Sequence, residues 1–278
     1  MDELHALIER SLEFRYESGA VTVMTQPHST GWRVLPTLTT AQVHDGWNTV
    51  AVDGGRPLRV GDGDAFCVVA GVRHISTLRT ATAVSRWSHV YFRVFGAIDA
   101  LTLIEPPLLL TGAAGRRLGD INAALAALPA GEHALGVVAR RKALGFELLA
   151  LIAEGARPAP GALDRARAIQ RLAPALAVVE RDLGSGVVAI PLLARAAGVS
   201  PSRLHALFHA ALGCAPLHYV QAQRLRRAQQ LLMGTDLPVQ VVATRSGFGD
   251  PFHFSRSFRK AIGQSPREYR EHGKNTGL

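Results

Sequence analysis

Cysteine is scarce in this chain of 278 residues, which contains only Cys67 and Cys214. One cysteine in each half gives no disulfide framework, and this is typical of proteins from a reducing cytoplasm. The first residues show no basic region followed by an apolar run, so no signal peptide is predicted. The longest apolar run, from Leu144 to Ala153, is interrupted by Glu147 and is too short to cross a bilayer. We therefore expect a cytoplasmic protein without a membrane partner.

Recognisable catalytic motifs are missing as well. The sequence contains no acid–base pair, no nucleophile elbow and no phosphate-binding loop. We therefore expect neither an enzymatic activity nor a cofactor.

Positive charge is distributed unevenly along the chain. Residues 1–163 hold 15 Lys and Arg against 15 Asp and Glu, whereas residues 164–278 hold 16 against 7, so the whole net charge of +9 lies in the second part. A basic surface can serve solubility alone, or it can attract the phosphates of a nucleic acid. An internal repeat in the same part of the chain favours the second interpretation.

The repeat lies in residues 190–269 and has an offset of 50 residues. Six pairs of identical or hydrophobic residues match at this offset: Pro201/Pro251, Leu204/Phe254, Phe208/Phe258, Gly213/Gly263, Pro216/Pro266 and Tyr219/Tyr269. Each copy predicts a helix, a short turn with glycine and a second helix, which is the helix-turn-helix pattern. A single copy would be weak support. Two copies in register on a basic background strongly predict a DNA-binding domain.

Start and stop signals locate the helices of each copy. In the first copy a short apolar helix spans Ile190 to Ala197, Gly198 takes a left-handed conformation, and Ser200 caps the next helix. In the second copy Gly247 and Asp250 take these two positions. Apolar residues at spacings of three and four face the core, and the residues between them face outward, where we expect DNA contacts. The predicted DNA-contacting residues are Ser202, Arg203, His205, His209, Asp250, His253, Arg256 and Arg259.

The second copy resembles the signature segment of the AraC/XylS family of transcriptional regulators. The matching residues are Ser246-Gly-Phe-Gly-Asp-Pro-Phe-His-Phe-Ser-Arg-Ser-Phe-Arg-Lys260 and Gly263-Gln-Ser-Pro-Arg-Glu-Tyr-Arg270, and the resemblance is specific over about residues 175–271. It implies a transcriptional regulator whose partners are double-stranded promoter DNA, a small-molecule effector, a second copy of the chain and RNA polymerase. The helix predicted between the copies, Pro216 to Met233, is long enough to place the recognition helices about one DNA turn apart.

The first part of the chain has a different pattern. From Ala20 to about Phe95, short β-rich runs alternate with turn signals, which predicts a small β-barrel or sandwich. Leu58-Arg-Val-Gly-Asp-Gly-Asp64 and Ala70-Gly-Val-Arg-His74 resemble the cupin-like sensor domain that precedes the DNA-binding half in many AraC/XylS proteins. This second resemblance implies a ligand-binding barrel.

We expect the ligand of this barrel to contact Trp47, His74 and Trp87. Metal-binding cupins carry a His-x-His pair with a following Glu, and no His-x-His pair occurs in this chain. A metal site is therefore disfavoured, although the fold can still bring His44, His74 and His89 together.

The predicted fold is a multidomain α+β protein with an N-terminal cupin-like β-barrel, flanking helices and a C-terminal all-α domain with two helix-turn-helix motifs. We place a sensing and dimerisation domain at residues 1–154, a linker and lead-in helix at 155–170, the DNA-binding domain at 171–272 and a tail at 273–278. Apolar helices at 113–154 are expected to be buried, either in their own domain or against a second copy of the chain. The resemblance to AraC/XylS regulators favours the second, a homodimer held together by these helices.

Two alternative functions stay open at the level of the sequence. The barrel can be a cupin-type metalloenzyme fused to a DNA-binding unit, in which case purified protein would contain zinc, iron or manganese. The protein can also be an architectural DNA binder without a ligand, in which case the barrel would have a filled cavity or none.

Overall fold

The structure, a computed structural model, describes residue 9 and residues 11–94, 98–129, 135–184 and 187–275. The chain divides into two compact units. The β-rich unit contains Glu13–Phe92 and Ile104–Pro158, and the helical unit contains Arg93–Leu103 and Ala159–Lys274. Residues 93–103 thus group with the helical unit, although they lie within the stretch predicted as the sensing domain. None of the described helices is long and apolar enough to cross a membrane.

Two larger sheets and one small sheet account for the described strands. The strands are β1 (Glu13–Thr25), β2 (Arg33–Val34), β3 (Leu38–His44), β4 (Asn48–Val52), β5 (Leu58–Val60), β6 (Ala65–Val68), β7 (Arg73–Leu78), β8 (Thr82–Val94), β9 (Ile98–Asp99), β10 (Ile104–Glu105), β11 (Leu109–Leu110) and β12 (Arg157–Pro158). One sheet has the order β1-β8-β3-β6-β11 with β9 also beside β8, the second has the order β2-β7-β4-β5, and β10 pairs with β12.

The prediction of a β-rich N-terminal region is confirmed, but the described strands do not close into a barrel. The two larger sheets share no strand pairing within the described residues. Of their outer strands, β2, β5 and β11 have only two or three residues each, and the long strand β1 pairs only with β8 within the described residues. The two larger sheets of the β-rich unit are therefore separate.

Alternation along the strands divides their residues between core and surface. Val43, Val50, Phe66 and Leu78, each from a different strand, belong to one apolar cluster. In β7 the residues alternate in burial, so that His74 and Ser76 lie on the same buried side as Leu78. Polar side chains thus share the interior of this unit with the apolar core.

Two helices complete the β-rich unit: α1 (Gly112–Ala127) and α2 (Leu135–Glu154). Small residues let both approach the sheets closely. A side chain at Gly119 of α1 would collide with Gln42, and one at Gly145 of α2 would collide with the ring of Phe14. Leu118, Ile121 and Leu125 form a buried stripe on α1, but α2 is not buried on all sides, since Phe146 is 36 % exposed.

The helical unit consists of α3 (Ala162–Asp182), α4 (Ile190–Ala196), α5 (Pro201–Leu212), α6 (Pro216–Gly234), α7 (Val239–Arg245), α8 (Pro251–Ile262) and α9 (Pro266–Asn275). Helix α3 runs without a break across the boundary predicted at residue 170, and α9 reaches into the predicted tail. Within the predicted linker, Arg157 and Pro158 form a strand paired with Glu105 and Ile104.

The repeat in the sequence is a repeat in the structure. Helices α4 and α5 form the first helix-turn-helix, and α7 and α8 form the second. In each copy a buried phenylalanine contacts a buried tyrosine edge-on, with ring centroids 5.8 Å apart for Phe208–Tyr219 and 5.4 Å apart for Phe258–Tyr269. The same interaction thus fixes the second helix of each copy against the helix that follows it.

The two turns differ in their surroundings. Gly198 and Gly247 both end the first helix of their copy in the left-handed region, with φ of 65° and 84°. A methyl group at Gly198 would meet no atom within 4 Å, whereas at Gly247 it would overlap the carbonyl of Leu183. The longer second turn also includes Phe248, which is buried and packs 5.1 Å from Phe254.

Because the two turns differ, replacing glycine by alanine should lower stability by different amounts at Gly198 and Gly247. Gly198→Ala should destabilise the helical unit by about 1–2 kcal/mol, the usual cost of a left-handed alanine. Gly247→Ala should cost about 3 kcal/mol or more, because overlap with the Leu183 carbonyl adds to the strain. Urea denaturation followed by ellipticity at 222 nm measures the helices. The three tryptophans, Trp32, Trp47 and Trp87, all lie in the β-rich unit, so their fluorescence is the internal control. Equal losses for the two variants would contradict the packing described at Gly247.

Candidate functional site

Each recognition helix begins with the cap that the sequence predicts. Ser200 Oγ accepts a hydrogen bond from the backbone N–H of Arg203 at 3.3 Å. Asp250 uses both carboxylate oxygens, which accept from the backbone N–H groups of Phe252 and His253 at 3.0 Å each. These N–H groups hold the pKa of the Asp250 carboxyl below its ordinary value. The caps satisfy donors that the first helical turn leaves without partners.

Helix α8 has a fully buried side and an exposed basic side. Phe254 and Phe258 are buried completely. His253, Arg256 and Arg259 are exposed on the other side, as predicted. Nε2 of the His253 ring lies 3.4 Å from Ser257 Oγ.

Phe252 is an exposed aromatic residue that the sequence analysis did not select. Its side chain is 80 % exposed in the first turn of α8. The signal available in the sequence was its position between Pro251 and His253, outside the spacing of the buried phenylalanines. The exposed side of α8 therefore offers an apolar surface next to its cations.

The predicted DNA-contacting residues of α5 do not all lie on an open surface. Ser202, Arg203, His205 and His209 are all exposed. Arg203, however, borders a cleft with Arg171 of α3. His209 borders a separate groove of about 450 Å³ that also includes Arg226. Ser202 and His205 thus form the open part of this helix surface.

Helix α6 connects the two copies and carries three arginines. Arg227 is exposed, and Arg226 is half-buried. The half-buried Arg224 donates from Nε to the carbonyl of Leu183 at 3.4 Å, and burial lowers the pKa of its guanidinium. The same Nε lies beside Gly247. Arg224 is therefore part of the support of the second turn.

A second candidate site is a half-open cavity of about 50 Å³ in the β-rich unit. Of the three predicted ligand contacts, Trp87 lines it. His74 is 1 % exposed and lies behind Arg33, which does line the cavity. Trp47 is not among the lining residues, and its ring instead stacks with the guanidinium of Arg59 at 4.7 Å. Two polar residues of this lining, Arg33 and Asn48, are not among the predicted ligand contacts.

The histidines His44, His74 and His89 do not form one cluster in the described part of the β-rich unit. His74 and His89 are buried close enough for each to feel the charge of Arg33, which lowers the pKa of both further after burial itself. His44 lies elsewhere, within 3.4 Å of Asp45 and 3.2 Å of Asp62. Among the described residues, His44, Asp45 and Asp62 form the one group spaced to hold a metal ion, and both carboxylates are exposed. Such exposed acidic groups are common without an ion.

The geometry defines a protein with two helix-turn-helix motifs in one helical unit, and comparisons with known proteins agree. A family model described as "Helix-turn-helix domain" matches residues 193–272. The arabinose operon regulatory protein of Salmonella typhimurium is 43 % identical over 72 residues, which are 26 % of this chain and 26 % of that protein. The regulator GlxA of Rhizobium meliloti is 34 % identical over 143 residues, covering 49 % of this chain and 42 % of that protein. The chain thus matches between a quarter and under half of the length of these relatives.

Among solved structures, ToxT from Vibrio cholerae O395 is similar over 97 % of this chain and 100 % of its own, with a TM-score of 0.56 and 12 % identity. ToxT with a bound unsaturated fatty acid gives a TM-score of 0.52 at 12 % identity, over 94 % of this chain and 95 % of its own. These similarities show the fold: a β-rich N-terminal region followed by helix-turn-helix motifs. The resemblance of the C-terminal segment to AraC/XylS regulators is confirmed.

The buried histidine His74 predicts a dependence of stability on pH. Burial, and then the charge of Arg33, lowers its pKa from 6.5 to about 4, although a bond to the Val72 carbonyl opposes this. Between about pH 6.5 and pH 4, His74 is therefore protonated in the unfolded chain and neutral in the folded chain. The free energy of unfolding falls as the pH falls through this window. We expect a loss of about 2 kcal/mol between pH 7 and pH 5 from this residue.

Urea denaturation followed by tryptophan fluorescence at pH 7 and pH 5 measures the effect. His74→Asn should reduce the difference by about this amount, while the buried His89, whose pKa is also lowered, supplies a further part of it. His218→Asn changes an exposed position in the helical unit and serves as the control. An unchanged pH dependence in His74→Asn would show that His74 is not held neutral.

Proposed function

We propose that this protein is a sequence-specific transcriptional regulator that binds double-stranded promoter DNA and responds to a small-molecule effector. The observation that carries the proposal is the pair of helix-turn-helix motifs, each with a capped second helix that exposes polar and basic side chains. The net charge of +9 in residues 164–278 supports it, because clustered positive charge attracts the phosphates of DNA. The names of the matched relatives, which are regulators, agree with this proposal.

In this proposal α5 and α8 enter successive major grooves. Helix α6 has 19 residues, which at 1.5 Å per residue gives about 28 Å, close to the roughly 34 Å of one DNA turn once the width of the recognition helices is added. Ser202 and His205 on α5 and His253 and Arg256 on α8 contact base edges. Arg203 and His209 lie at the margins of α5 and contact the backbone.

Within α8 we assign three different roles. Arg256 lies in the middle of the exposed side, where an arginine can donate two hydrogen bonds to guanine. Arg259 lies nearer the end of the helix and contacts phosphate. Asp250 positions the helix through its cap, since both of its oxygens already accept bonds from backbone N–H groups. Phe252 offers apolar surface of the kind that contacts the methyl group of thymine.

The effector site in this proposal is the cavity of the β-rich unit, which we infer to be a cupin-like sensor module. Its lining combines four apolar residues, among them Trp87 and Phe66, with eight polar ones that can orient a small ligand. The structure of ToxT that holds an unsaturated fatty acid has a similar fold. A metalloenzyme is the less favoured candidate, because the group of His44, Asp45 and Asp62 is made of exposed carboxylates, which are common without an ion, and none of the three lines the cavity.

The roles of Arg256 and Arg259 can be separated by two substitutions. Arg256→Ala should lower affinity for the preferred DNA by about 1–3 kcal/mol and relax the preference at one base pair. Arg259→Ala should weaken binding to all sequences alike and reduce the salt slope by about one ion. A binding-site selection with each variant, followed by affinity measurements at two salt concentrations, tests both.

Arg267→Ala is the matched control, because Arg267 is exposed on α9 and pairs with Glu271 outside both recognition helices. It should change neither the selected sequences nor the salt slope. If Arg256→Ala keeps the base preferences and alters only the salt slope, Arg256 is a phosphate contact and its assignment here is wrong.

We also propose that two copies of the chain associate through α2 and that the DNA-bound dimer contacts RNA polymerase. Helix α2 exposes apolar side chains although it belongs to a packed unit: Leu135 is 83 % exposed, and Val138 and Phe146 are each 36 % exposed. Exposed apolar surface of this kind is expected at an association interface.

Sedimentation at micromolar concentration tests the dimer. The unaltered chain should sediment as a dimer, and Val138→Asp should shift it to monomer because a charge is then buried at the interface. Val241→Asp is the control, since Val241 of α7 is also 36 % exposed but lies in the helical unit. A monomeric unaltered chain, or equal behaviour of the two variants, would remove α2 as the interface.

A further inference from the structure

The cavity of the β-rich unit has a polar lining with a clear sign of charge. Among the described residues that line it, Arg33 is the one with a permanent charge, and no Asp or Glu takes part. The other polar members include Asn48, Ser76, Ser85 and His89. Burial keeps His89 neutral, because it lowers the pKa of this residue far below its ordinary value. A site of this kind attracts an anion and lacks the acidic side chains that would bind a cation.

The position of Arg33 is fixed by a buried histidine. His74 Nδ1 lies 3.0 Å from the carbonyl of Val72, which can only accept, so Nδ1 carries the proton. His74 Nε2 is then the acceptor, and Arg33 donates to it from Nε at 3.4 Å. Strand pairing supports this contact, because Arg33 of β2 lies opposite His74 of β7. An arginine oriented in this way is suited to a planar carboxylate, which accepts two parallel hydrogen bonds.

The buried side chain of Asn48 indicates a second property of the ligand. Its side chain is 3 % exposed and its Nδ2 donates to Ser76 Oγ at 3.3 Å. Its Oδ1 accepts a hydrogen bond from none of the described protein groups. A buried acceptor without a donor is unfavourable, and buried polar atoms in native proteins are normally satisfied. Since Asn48 lines the cavity, a donor on the ligand is the partner that its chemistry calls for.

Size limits the ligand further. The cavity of about 50 Å³ is a third of the roughly 150 Å³ that accommodates benzene. It holds a polar group and a few carbon atoms beside Met24, Phe66 and Trp87, and it has no room for a long acyl chain.

We propose that this cavity binds a short organic carboxylate with a hydroxyl group next to the carboxyl group. The carboxylate pairs with Arg33, and the neighbouring O–H donates to Asn48 Oδ1. This inference rests on the proposed function, because the ligand is the effector of that same site. It adds the chemical class, which distinguishes a small hydroxy acid from a neutral sugar, from a free phosphate and from a fatty acid.

The full chain is titrated in the calorimeter with a panel of matched probes. Lactate, glycolate and glycerate carry both groups, propionate lacks the donor, lactamide lacks the charge, and inorganic phosphate and oleate represent the competing classes. At least one of the first three should bind. Propionate should bind about tenfold more weakly, because one buried hydrogen bond is missing. Lactamide, phosphate and oleate should not compete.

Three variants assign the contacts. Arg33→Gln should reduce the affinity for the best probe by roughly 30-fold or more, because the charged pair is lost. Arg33→Lys retains the charge without the planar pair, should lose roughly tenfold, and keeps the test valid if Arg33→Gln fails to fold. Asn48→Leu should bring the probe down to the affinity of propionate. Arg56→Gln removes an exposed arginine outside the cavity and should change nothing.

Several results would overturn the inference. Binding of none of the three probes, unchanged binding in the Arg33 variants, or tighter binding of lactamide, phosphate or oleate would each exclude the class proposed here. DNA affinity measured on the same protein separates the two levels. Intact DNA binding with no carboxylate binding rejects the ligand class alone. Carboxylate binding that never alters DNA affinity retains the ligand class and rejects its role as effector.

Discussion

The rotation of α8 about its own axis is fixed by the packing of Phe254 and Phe258. Both rings are fully buried, and Phe258 meets the buried ring of Tyr269, whose hydroxyl accepts a hydrogen bond from Gln229 of α6 at 3.2 Å. Consecutive residues of a helix point about 100° apart. A shift of one position would therefore bring Arg256 toward the core and a phenylalanine into solvent. The exposed basic side on which the proposed DNA contacts depend exists only while these rings stay where they are.

The helical unit could be predicted closely because its signals are local. The first helix was expected to span Ile190 to Ala197 and spans Ile190–Ala196. The predicted caps at Ser200 and Asp250 both form. Each of these features depends on residues within a few positions of one another, which a linear pattern contains. The cleft beside Arg203 could not be foreseen, because it also depends on Arg171 of α3, about thirty residues away in sequence.

The β-rich unit could be predicted only in outline, since its cavity is assembled from strands distant in sequence. Asn48 meets Ser76, 28 positions later, and Arg33 meets His74, 41 positions later. A register shifted by one residue turns a side chain to the other face of its sheet. This explains the outcome for neighbours on the chain: Trp47 stacks with Arg59, while Asn48 lines the cavity. Composition indicated the strands, but long-range pairing decided which polar groups converge.

The unequal crowding of the two turns has a consequence for how this protein can change. Around Gly198 there is empty space, whereas Gly247 lies against the Leu183 carbonyl and Arg224. Larger side chains near the first turn, and the small shifts of α5 that they cause, should therefore reduce stability only modestly. The second copy has no free space for such changes at Gly247. Substitutions that alter the recognised DNA sequence should therefore be tolerated more readily in α5 than in α8. Directed evolution of a new specificity is best begun at Ser202 and His205.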